Sequence, residues 1–125
     1  MPTPSHKDAA VEFLTLIVSG DVRGAYERHV GSGFRHHNPY FSGDAKSLME
    51  GMEEDESRNP GKKLDVQTAI QDGDYVAVHS RLSRAASDLD MAVVHIFRFE
   101  GDRIAELWDI GQAVPKNIVN DYGMF

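Results

Sequence analysis

The chain has 125 residues, 41% of them hydrophobic and 26% charged, with a formal net charge of −7 and no cysteine. This composition is sufficient for the packed core of one domain, residues 1–125. The negative charge disfavours nucleic acids and anionic membranes as partners, and the lack of cysteine excludes disulfides, zinc–thiolate sites and thiol nucleophiles. Because the start of the chain lacks the basic region and apolar core of a signal peptide, and no apolar run approaches the roughly 20 residues of a membrane span, we expect a cytoplasmic protein.

Helical spacing of apolar residues marks the first part of the chain. Ser5, with Asp8 three residues later, fits a capping box and predicts a first helix that ends at Ser19-Gly20. Asp21 predicts the cap of a short second helix, VRGAYERHV, which is ended by the glycines that follow it. A third helix is predicted over residues 44–59, just before a proline.

Between the second and third predicted helices lies the segment GFRHHNPYFSGD, residues 33–44. Pro39 forces Asn38 away from helical dihedral angles, so the chain is extended there. His37 and Asn38 are candidates for a binding or catalytic site, although Asn-Pro is also a common start of a turn. Three aromatic residues flank this pair and either roof a cavity or fill the core: Phe34, Tyr40 and Phe41. Three other histidines are expected on the surface: His6, His29 and His36.

Strand periodicity begins at Leu64, where apolar residues recur at every second position. The segments LDVQTAIQ and YVAVHSRLS flank Asp72-Gly73, and the segments DMAVVHIFRFE and RIAELWDIG flank Gly101-Asp102, so each pair predicts a hairpin. Three helices followed by a four-strand meander indicate an α+β fold.

The register of the last hairpin decides which side chains share a face. A three-residue loop with a bulge would place Arg98 opposite Glu106 as a cross-strand ion pair, and would place His95 opposite Asp109 on one face. A two-residue loop would shift the register by one and separate His95 from Asp109. The first register is our working hypothesis, and the second remains open.

The other face of this hairpin is also apolar, which a sheet with one face in water would not require. In the first register this face carries Val94, Ile96, Trp108 and Ile110. Because helices can cover only the opposite face, we expect this patch to contact a second subunit and to form a homodimer.

Several short motifs follow one another along nearly the whole chain: His37-Asn38-Pro39, Phe97-Arg98, Trp108-Asp109 with Gln112 and Pro115, and Gly123-Met124-Phe125. In this order the chain resembles the SnoaL-like polyketide cyclase family of the nuclear-transport-factor-two-like superfamily, which includes ketosteroid isomerase and scytalone dehydratase. The resemblance implies a cone-shaped barrel, in which a strongly curved, mostly antiparallel sheet wraps around N-terminal helices and encloses an apolar pocket. It also implies one further short strand near residues 33–44.

The resemblance also implies a reaction, an intramolecular aldol condensation without metal or organic cofactor. It assigns Asp109 as the acid/base and His95 as a pocket histidine, and it implies that His37 and Asn38 reach the substrate. The chain departs from the pattern at two points, because relatives of this small type are expected to have an acidic residue where His95 stands, and EHWD where this chain has ELWD. Both departures bear on the role of position 95 and on the substrate.

Elementary chemistry leads to a related expectation. Removing a proton next to a carbonyl group requires a base and a hydrogen-bond donor for the enolate oxygen. Asp109 on an apolar face is the candidate base, since desolvation makes a carboxylate a stronger proton acceptor. The candidate donors are His37, His79, His95 and Asn38. The candidate substrate-binding residues are Asn38, His79, Tyr26, Phe34, Phe97, Leu107 and Phe41.

A metal site and a purely structural role are the alternatives for these residues. The histidines have no ligand spacing such as HExxH, so we expect no metal and no other cofactor. Asp109 could instead pair with a cation at the strand end, and His95 could be a hydrogen-bonded core histidine. The leading hypothesis is an enzyme that performs aldol cyclisation, isomerisation or dehydration on an apolar, carbonyl-bearing small molecule. The alternative is a non-catalytic small-molecule-binding or dimerisation module of the same fold.

Overall fold

The computed structural model describes residues 4–125, which form three helices and five strands. In chain order these are α1 His6–Val18, α2 Val22–His29, β1 Val30–His36, α3 Ala45–Arg58, β2 Lys62–Asp72, β3 Tyr75–Arg84, β4 Asp90–Glu100 and β5 Arg103–Ala113. The predicted α+β fold is confirmed, and so is the meander of the last four strands. Within the described residues, none of the helices is long and apolar enough to cross a bilayer.

Each helix begins at a side-chain cap; the caps at Ser5 and Asp21 were predicted, and for α3 the sequence predicted only a start near Asp44. The hydroxyl of Ser5 accepts a hydrogen bond from the backbone N–H of Asp8 at 3.1 Å, and the carboxylates of Asp21 and Asp44 cap α2 and α3 in the same way. These bonds satisfy backbone N–H groups that have no partner within the first helical turn. The cap at Asp44 also fixes where the loop that follows β1 must end.

The five strands form one sheet in the order β1-β5-β4-β3-β2. Neighbouring strands pair in antiparallel orientation except β1, which runs parallel to β5. The sheet is the mostly antiparallel sheet of a cone-like fold, but it does not close on itself, because β1 and β2 are its two edges. β1 is the short strand that the resemblance implied. Its glycines, Gly31 and Gly33, had suggested only the end of a helix.

The β4–β5 hairpin combines the two alternatives that the sequence left open. Gly101-Asp102 forms a two-residue turn, as in the second alternative. Ala105 is then an extra residue in β5, and this β-bulge shifts the register so that His95 pairs with Asp109. The favoured pairing is therefore confirmed, while the three-residue loop proposed to produce it was wrong.

The two faces of the sheet have different surroundings. On the inner face, side chains of β3, β4 and β5 pack against α1 and α2 and form the hydrophobic core. The largest fully buried residues of this core include Phe13, Phe97, Phe99 and Leu107. The outer face carries half-buried or exposed side chains, among them Val94, Ile96, Trp108 and Ile110, as the predicted register required.

The three histidines that were expected on the surface are not fully exposed. His29 is 5% exposed and its Nε2 lies 3.0 Å from Glu12 Oε1. His6 is half-buried, and its Nε2–H donates to the carbonyl oxygen of Gly101 at 2.8 Å. His36 is 6% exposed. The prediction of surface histidines was wrong because each ring has a partner that is distant in sequence or supplied by the backbone.

Candidate active site

The loop between β1 and α3, residues 37–44, is anchored by His36. The ring lies on the inner face of the sheet, where His36 pairs with Leu107. Its Nε2–H donates to the carbonyl oxygen of Ser42 at 2.6 Å, and its Nδ1 accepts the backbone N–H of Asn38 at 3.0 Å. Both bonds together require a neutral ring with its proton on Nε2. A single buried imidazole therefore holds both ends of the loop.

Asn38 connects this loop to the last strand. Its Oδ1 accepts the backbone N–H of Tyr40 at 2.9 Å, the pattern of an Asx turn. The Nδ2 group is consequently the one that faces Asp109, and it donates to Asp109 Oδ2 at 3.0 Å. Among residues 4–125, the carboxylate of Asp109 joins no ion pair. The structure therefore does not support the alternative in which Asp109 pairs with a cation at the strand end.

His95 lies directly opposite Asp109 on β4, on the same inner face. Burial lowers the pKa of its imidazole from 6.5 to about 4, although the charge of Asp109 acts in the opposite direction. The ring is therefore neutral at neutral pH and has one N–H to donate. Its Nδ1 is buried and has no hydrogen-bond partner in the described part of the chain.

A cleft of about 430 Å³ opens beside these three groups. Asn38, His95 and Asp109 supply its polar wall. The apolar wall and the rim come mainly from Pro39, Tyr40, Met91 and Val93. A few polar groups that converge on a mostly apolar cavity are typical of a small-molecule site.

Asn38 also lines a second cavity, of about 300 Å³. Phe41 forms part of its wall, and so do Lys62 and Glu56, which form an ion pair with their charged atoms 2.8 Å apart. The ring of Phe41 packs on Gly51 of α3, where a Cβ atom would lie 2.3 Å from the ring. The absence of a side chain at position 51 thus allows the loop to pack against α3.

Tyr26, a predicted substrate-binding residue, lies in the hydrophobic core and lines neither of these two cavities. The residue is 6% exposed, and its hydroxyl donates to Met52 Sδ at 3.4 Å. Burial, and to a lesser degree the charge of Asp109, raise the pKa of this hydroxyl. Tyr26 is therefore close enough to Asp109 to sense its charge, but the two side chains are not hydrogen-bonded to each other.

Two of the predicted site histidines lie on the outer face instead. Because side chains alternate along an extended chain, His37 points away from His36. Its Nε2 lies 2.6 Å from Glu106 Oε2, and its ring stacks on Trp108 with centroids 4.9 Å apart. His79 stacks on Phe125 with centroids 5.8 Å apart. The structure therefore does not bring His37 or His79 to Asp109.

Three predicted lining residues fill the core rather than the cleft. Phe34 is 6% exposed, Leu107 1% and Phe97 0%. Phe97 packs edge-on against Phe13, with ring centroids 5.9 Å apart. These residues support the floor beneath His95 and Asp109 without facing the cavity.

Several lining residues were missed in the sequence. Met91 and Val93 stand four and two residues before His95 on the same face of β4, so strand alternation alone could have identified them. His36 gave no such signal, because its role depends on a backbone carbonyl that the loop brings to it.

The chain matches a protein-family model over most of its length. The model described as "SnoaL-like domain" matches residues 10–107. The chain belongs to the SnoaL-like family. The match includes the anchored loop and His95, and it ends just before Asp109. A search of curated proteins gave no match for this SnoaL-like domain.

Solved structures share the fold of this SnoaL-like domain. An NTF2-like protein of unknown function from Cytophaga hutchinsonii is 17% identical, with a TM-score of 0.71 over 90% of this chain and 95% of that one. AclR from Streptomyces galilaeus, a candidate hydroxylase, is 17% identical, with a TM-score of 0.76 over 91% and 83%. IdmH from Streptomyces antibioticus, a candidate polyketide cyclase, is 19% identical, with a TM-score of 0.69 over 86% and 92%. At such identities the likeness establishes the fold alone.

Proposed function

We propose that this SnoaL-like domain is a cofactor-free enzyme that moves a proton at the carbon next to a carbonyl group of an apolar small molecule. The observation that carries the proposal is the position of Asp109. It lies opposite a neutral histidine, accepts a hydrogen bond from Asn38 at 3.0 Å, and lines a cleft with apolar walls. Membership of the SnoaL-like family, which the sequence resemblance links to polyketide cyclases, supports a substrate of this class.

Each polar group in the cleft has a separate task in this mechanism. The carboxylate of Asp109 accepts the proton as the C–H bond breaks, and the electron pair moves to the carbonyl oxygen. His95, which is neutral, donates an N–H to that oxygen as negative charge develops. Asn38 holds Asp109 in position through one neutral hydrogen bond, so the carboxylate keeps a free oxygen for the proton. Return of the proton to a different carbon of the conjugated enolate completes isomerisation. Attack of the enolate carbon on a second carbonyl group forms an alkoxide, which takes the proton back from Asp109 and completes aldol cyclisation.

Hydrogen–deuterium exchange tests the proposal without knowledge of the natural substrate. A panel of apolar cyclic ketones and β-dicarbonyl compounds is incubated with the protein in D₂O, and loss of the C–H signal next to the carbonyl is followed by NMR. We expect Asp109→Asn to slow the enzyme-dependent exchange by about two to four orders of magnitude, the usual effect of removing a general base. Glu106→Gln on the outer face is the matched control and should retain the rate.

Two results would contradict the proposed enzymatic activity. Exchange that is equally fast with Asp109→Asn would exclude Asp109 as the base. Saturable binding of the panel compounds with no exchange above the buffer rate would favour the alternative, a small-molecule-binding module without catalysis.

We also propose that the outer face forms a homodimer interface. Ile110 is 59% exposed and Tyr75 48% exposed, and both lie on the outer face with Val94, Ile96 and Trp108. Contiguous apolar surface of this kind is usually covered by a partner. Light scattering at micromolar concentration should give twice the mass of the chain, and Ile110→Asp should halve it. Val119→Asp adds the same charge to an exposed apolar residue outside the sheet and should leave the dimer intact; a monomeric wild-type protein would refute the interface.

A further inference from the structure

Two buried polar atoms on the inner face have no hydrogen-bond partner in the described part of the chain, and they belong to neighbouring positions. One is Nδ1 of His95 on β4, and the other is Oγ of Ser80 on β3. Ser80 is 0% exposed. It shares the inner face of β3 with the apolar side chains of Val76, Val78 and Leu82.

The strand register places these two residues side by side. Val78 pairs directly with His95, and Ser80 pairs with Val93. Ser80 is therefore the diagonal neighbour of His95 on the same face, and an aromatic side chain can span the distance between two such positions. Continuing in the same direction, His95 pairs with Asp109, and Asp109 is bonded to Asn38. Ser80 thus extends a line of polar residues across an otherwise apolar surface.

A buried polar atom without a partner is unfavourable, and such atoms are rare in folded proteins. Two of them at adjacent positions can satisfy each other. A serine hydroxyl can donate, and the Nδ1 of a neutral imidazole can accept. Because the two atoms are not hydrogen-bonded to each other in the structure, a direct bond requires a change of side-chain rotamer. If the side chains are not quite in contact, one buried water can join them, because both sides are polar.

We propose that Ser80 is a positioning residue that fixes the tautomer of His95. Its hydroxyl donates to Nδ1, directly or through one water molecule, and the ring proton is therefore held on Nε2. The N–H that Nε2 carries is then the donor available to the oxygen of the substrate. The value of this tautomer for catalysis rests on the function proposed above, but the link between Ser80 and His95 does not.

The test reads the ring of His95 without any substrate. Long-range ¹H–¹⁵N correlation spectra of ¹⁵N-histidine-labelled protein distinguish a protonated ring nitrogen from an unprotonated one, and His95→Gln identifies the signals. In the wild-type protein we expect Nε2 to carry the proton. In Ser80→Ala we expect both ring nitrogens to move towards the average of the two tautomers.

Two further variants separate the hydroxyl group from packing. Ser80→Thr keeps the hydroxyl and should retain the wild-type pattern. Val78→Ala removes packing directly opposite His95, keeps Ser80, and should also retain it. The inference is overturned if Ser80→Ala leaves the His95 nitrogen signals unchanged, or if Val78→Ala changes them as much as Ser80→Ala does. Should Ser80→Thr fail to fold, the other two variants still decide the question.

The deuterium-exchange assay supplies the catalytic consequence. Ser80→Ala should lower kcat by about tenfold or less with little change in KM, because a correctly placed donor acts on the developing charge rather than on the bound substrate. A change in KM alone would show that Ser80 only shapes the cleft. Since the spectra are recorded without substrate, failure of Asp109 as the base would leave the tautomer result intact.

Discussion

Two histidine–carboxylate pairs lie on opposite faces of the sheet, in very different surroundings: His37 with Glu106 on the outer face, and His95 with Asp109 on the inner face. On the outer face, hydrogen bonds from Arg35 and His37, with Arg98 as a further donor, lower the pKa of Glu106 to about 2. On the inner face, Asp109 receives one neutral amide from Asn38 and faces a neutral His95.

The comparison teaches that residue type does not decide the role of a histidine–carboxylate pair. The outer carboxylate has three cationic or hydrogen-bonding neighbours, so it is held in its ionised form and contributes to the structure. The inner carboxylate accepts one side-chain hydrogen bond and lies at an open cleft, so it has a free oxygen that can take a proton from a substrate. The sequence alone shows a histidine and an acidic residue in both cases.

The largest expected effect comes from a change of register at the bulge in β5, because this register places Glu106 on the outer face and Asp109 on the inner face. Inserting one alanine after Ala105, with the turn and the bulge kept, would shift the rest of β5 by one position and turn Glu106 and Trp108 inward. We expect the free energy of unfolding to fall by more than about 3 kcal/mol, because a paired carboxylate and an indole would enter a packed core. Denaturant unfolding measures it. Ala105→Gly keeps the residue count and is the control; equal losses in the two variants would show that the register is not at stake.

Acid should destabilise the inner pair first. The folded-state pKa of His95, about 4, lies below its unfolded value of 6.5, so the unfolded chain binds the proton more readily. The stability from a neutral His95 is complete above pH 6.5 and is lost as the pH falls to about 4, by up to about 3 kcal/mol. His95→Gln should remove this part of the pH dependence, as measured by thermal unfolding at each pH. A wild-type profile in His95→Gln would contradict the burial of the ring.

The outer pair should respond at lower pH and to a different substitution. Because the pKa of Glu106 is lowered, its contribution is present above about pH 4.5 and is lost as the pH falls towards 2. Glu106→Gln should cost about 1–3 kcal/mol at neutral pH, the range for hydrogen bonds to a charged group. Asp109→Asn should change stability by less than about 1 kcal/mol, since the Asn38 amide keeps an acceptor. A larger loss of stability in Asp109→Asn than in Glu106→Gln would contradict our assignment of Glu106 as the structural carboxylate and Asp109 as the reactive one.

The smallest expected effect separates His37 from His95. His37→Gln retains a donor for Glu106 and loses mainly the stack on Trp108, which we expect to cost less than about 1 kcal/mol. The change should appear in the fluorescence of Trp108, while deuterium exchange proceeds at the wild-type rate. A loss of exchange comparable to that of Asp109→Asn would return His37 to the catalytic role that the resemblance implied.

Much of the fold could be predicted because it is encoded locally. The capping residues Ser5 and Asp21 predicted the starts of two helices, and the turn glycines predicted the hairpins. The pairing of His95 with Asp109 followed from the charges of Arg98 and Glu106, although the bulge at Ala105 that produces it could not be located.

The rest could not be predicted because it depends on contacts between distant segments. The parallel pairing of β1 with β5 decides that His36 faces inward and His37 outward, and two adjacent histidines carry no local sign of that order. The burial of His36 depends in turn on a carbonyl that only the folded loop presents. The importance of Ser80 appears only when its neighbour on β4 is known.

Pro39 has a chemical consequence for the site beyond the shape of the loop. Asparagine side chains age by attack of the next residue's backbone nitrogen on the amide, which yields aspartate through a cyclic imide. A proline nitrogen has no hydrogen to lose and cannot take part in this way. Asn38 is thereby protected from becoming a second carboxylate 3.0 Å from Asp109, and the charge of the cleft should stay constant over the lifetime of the molecule.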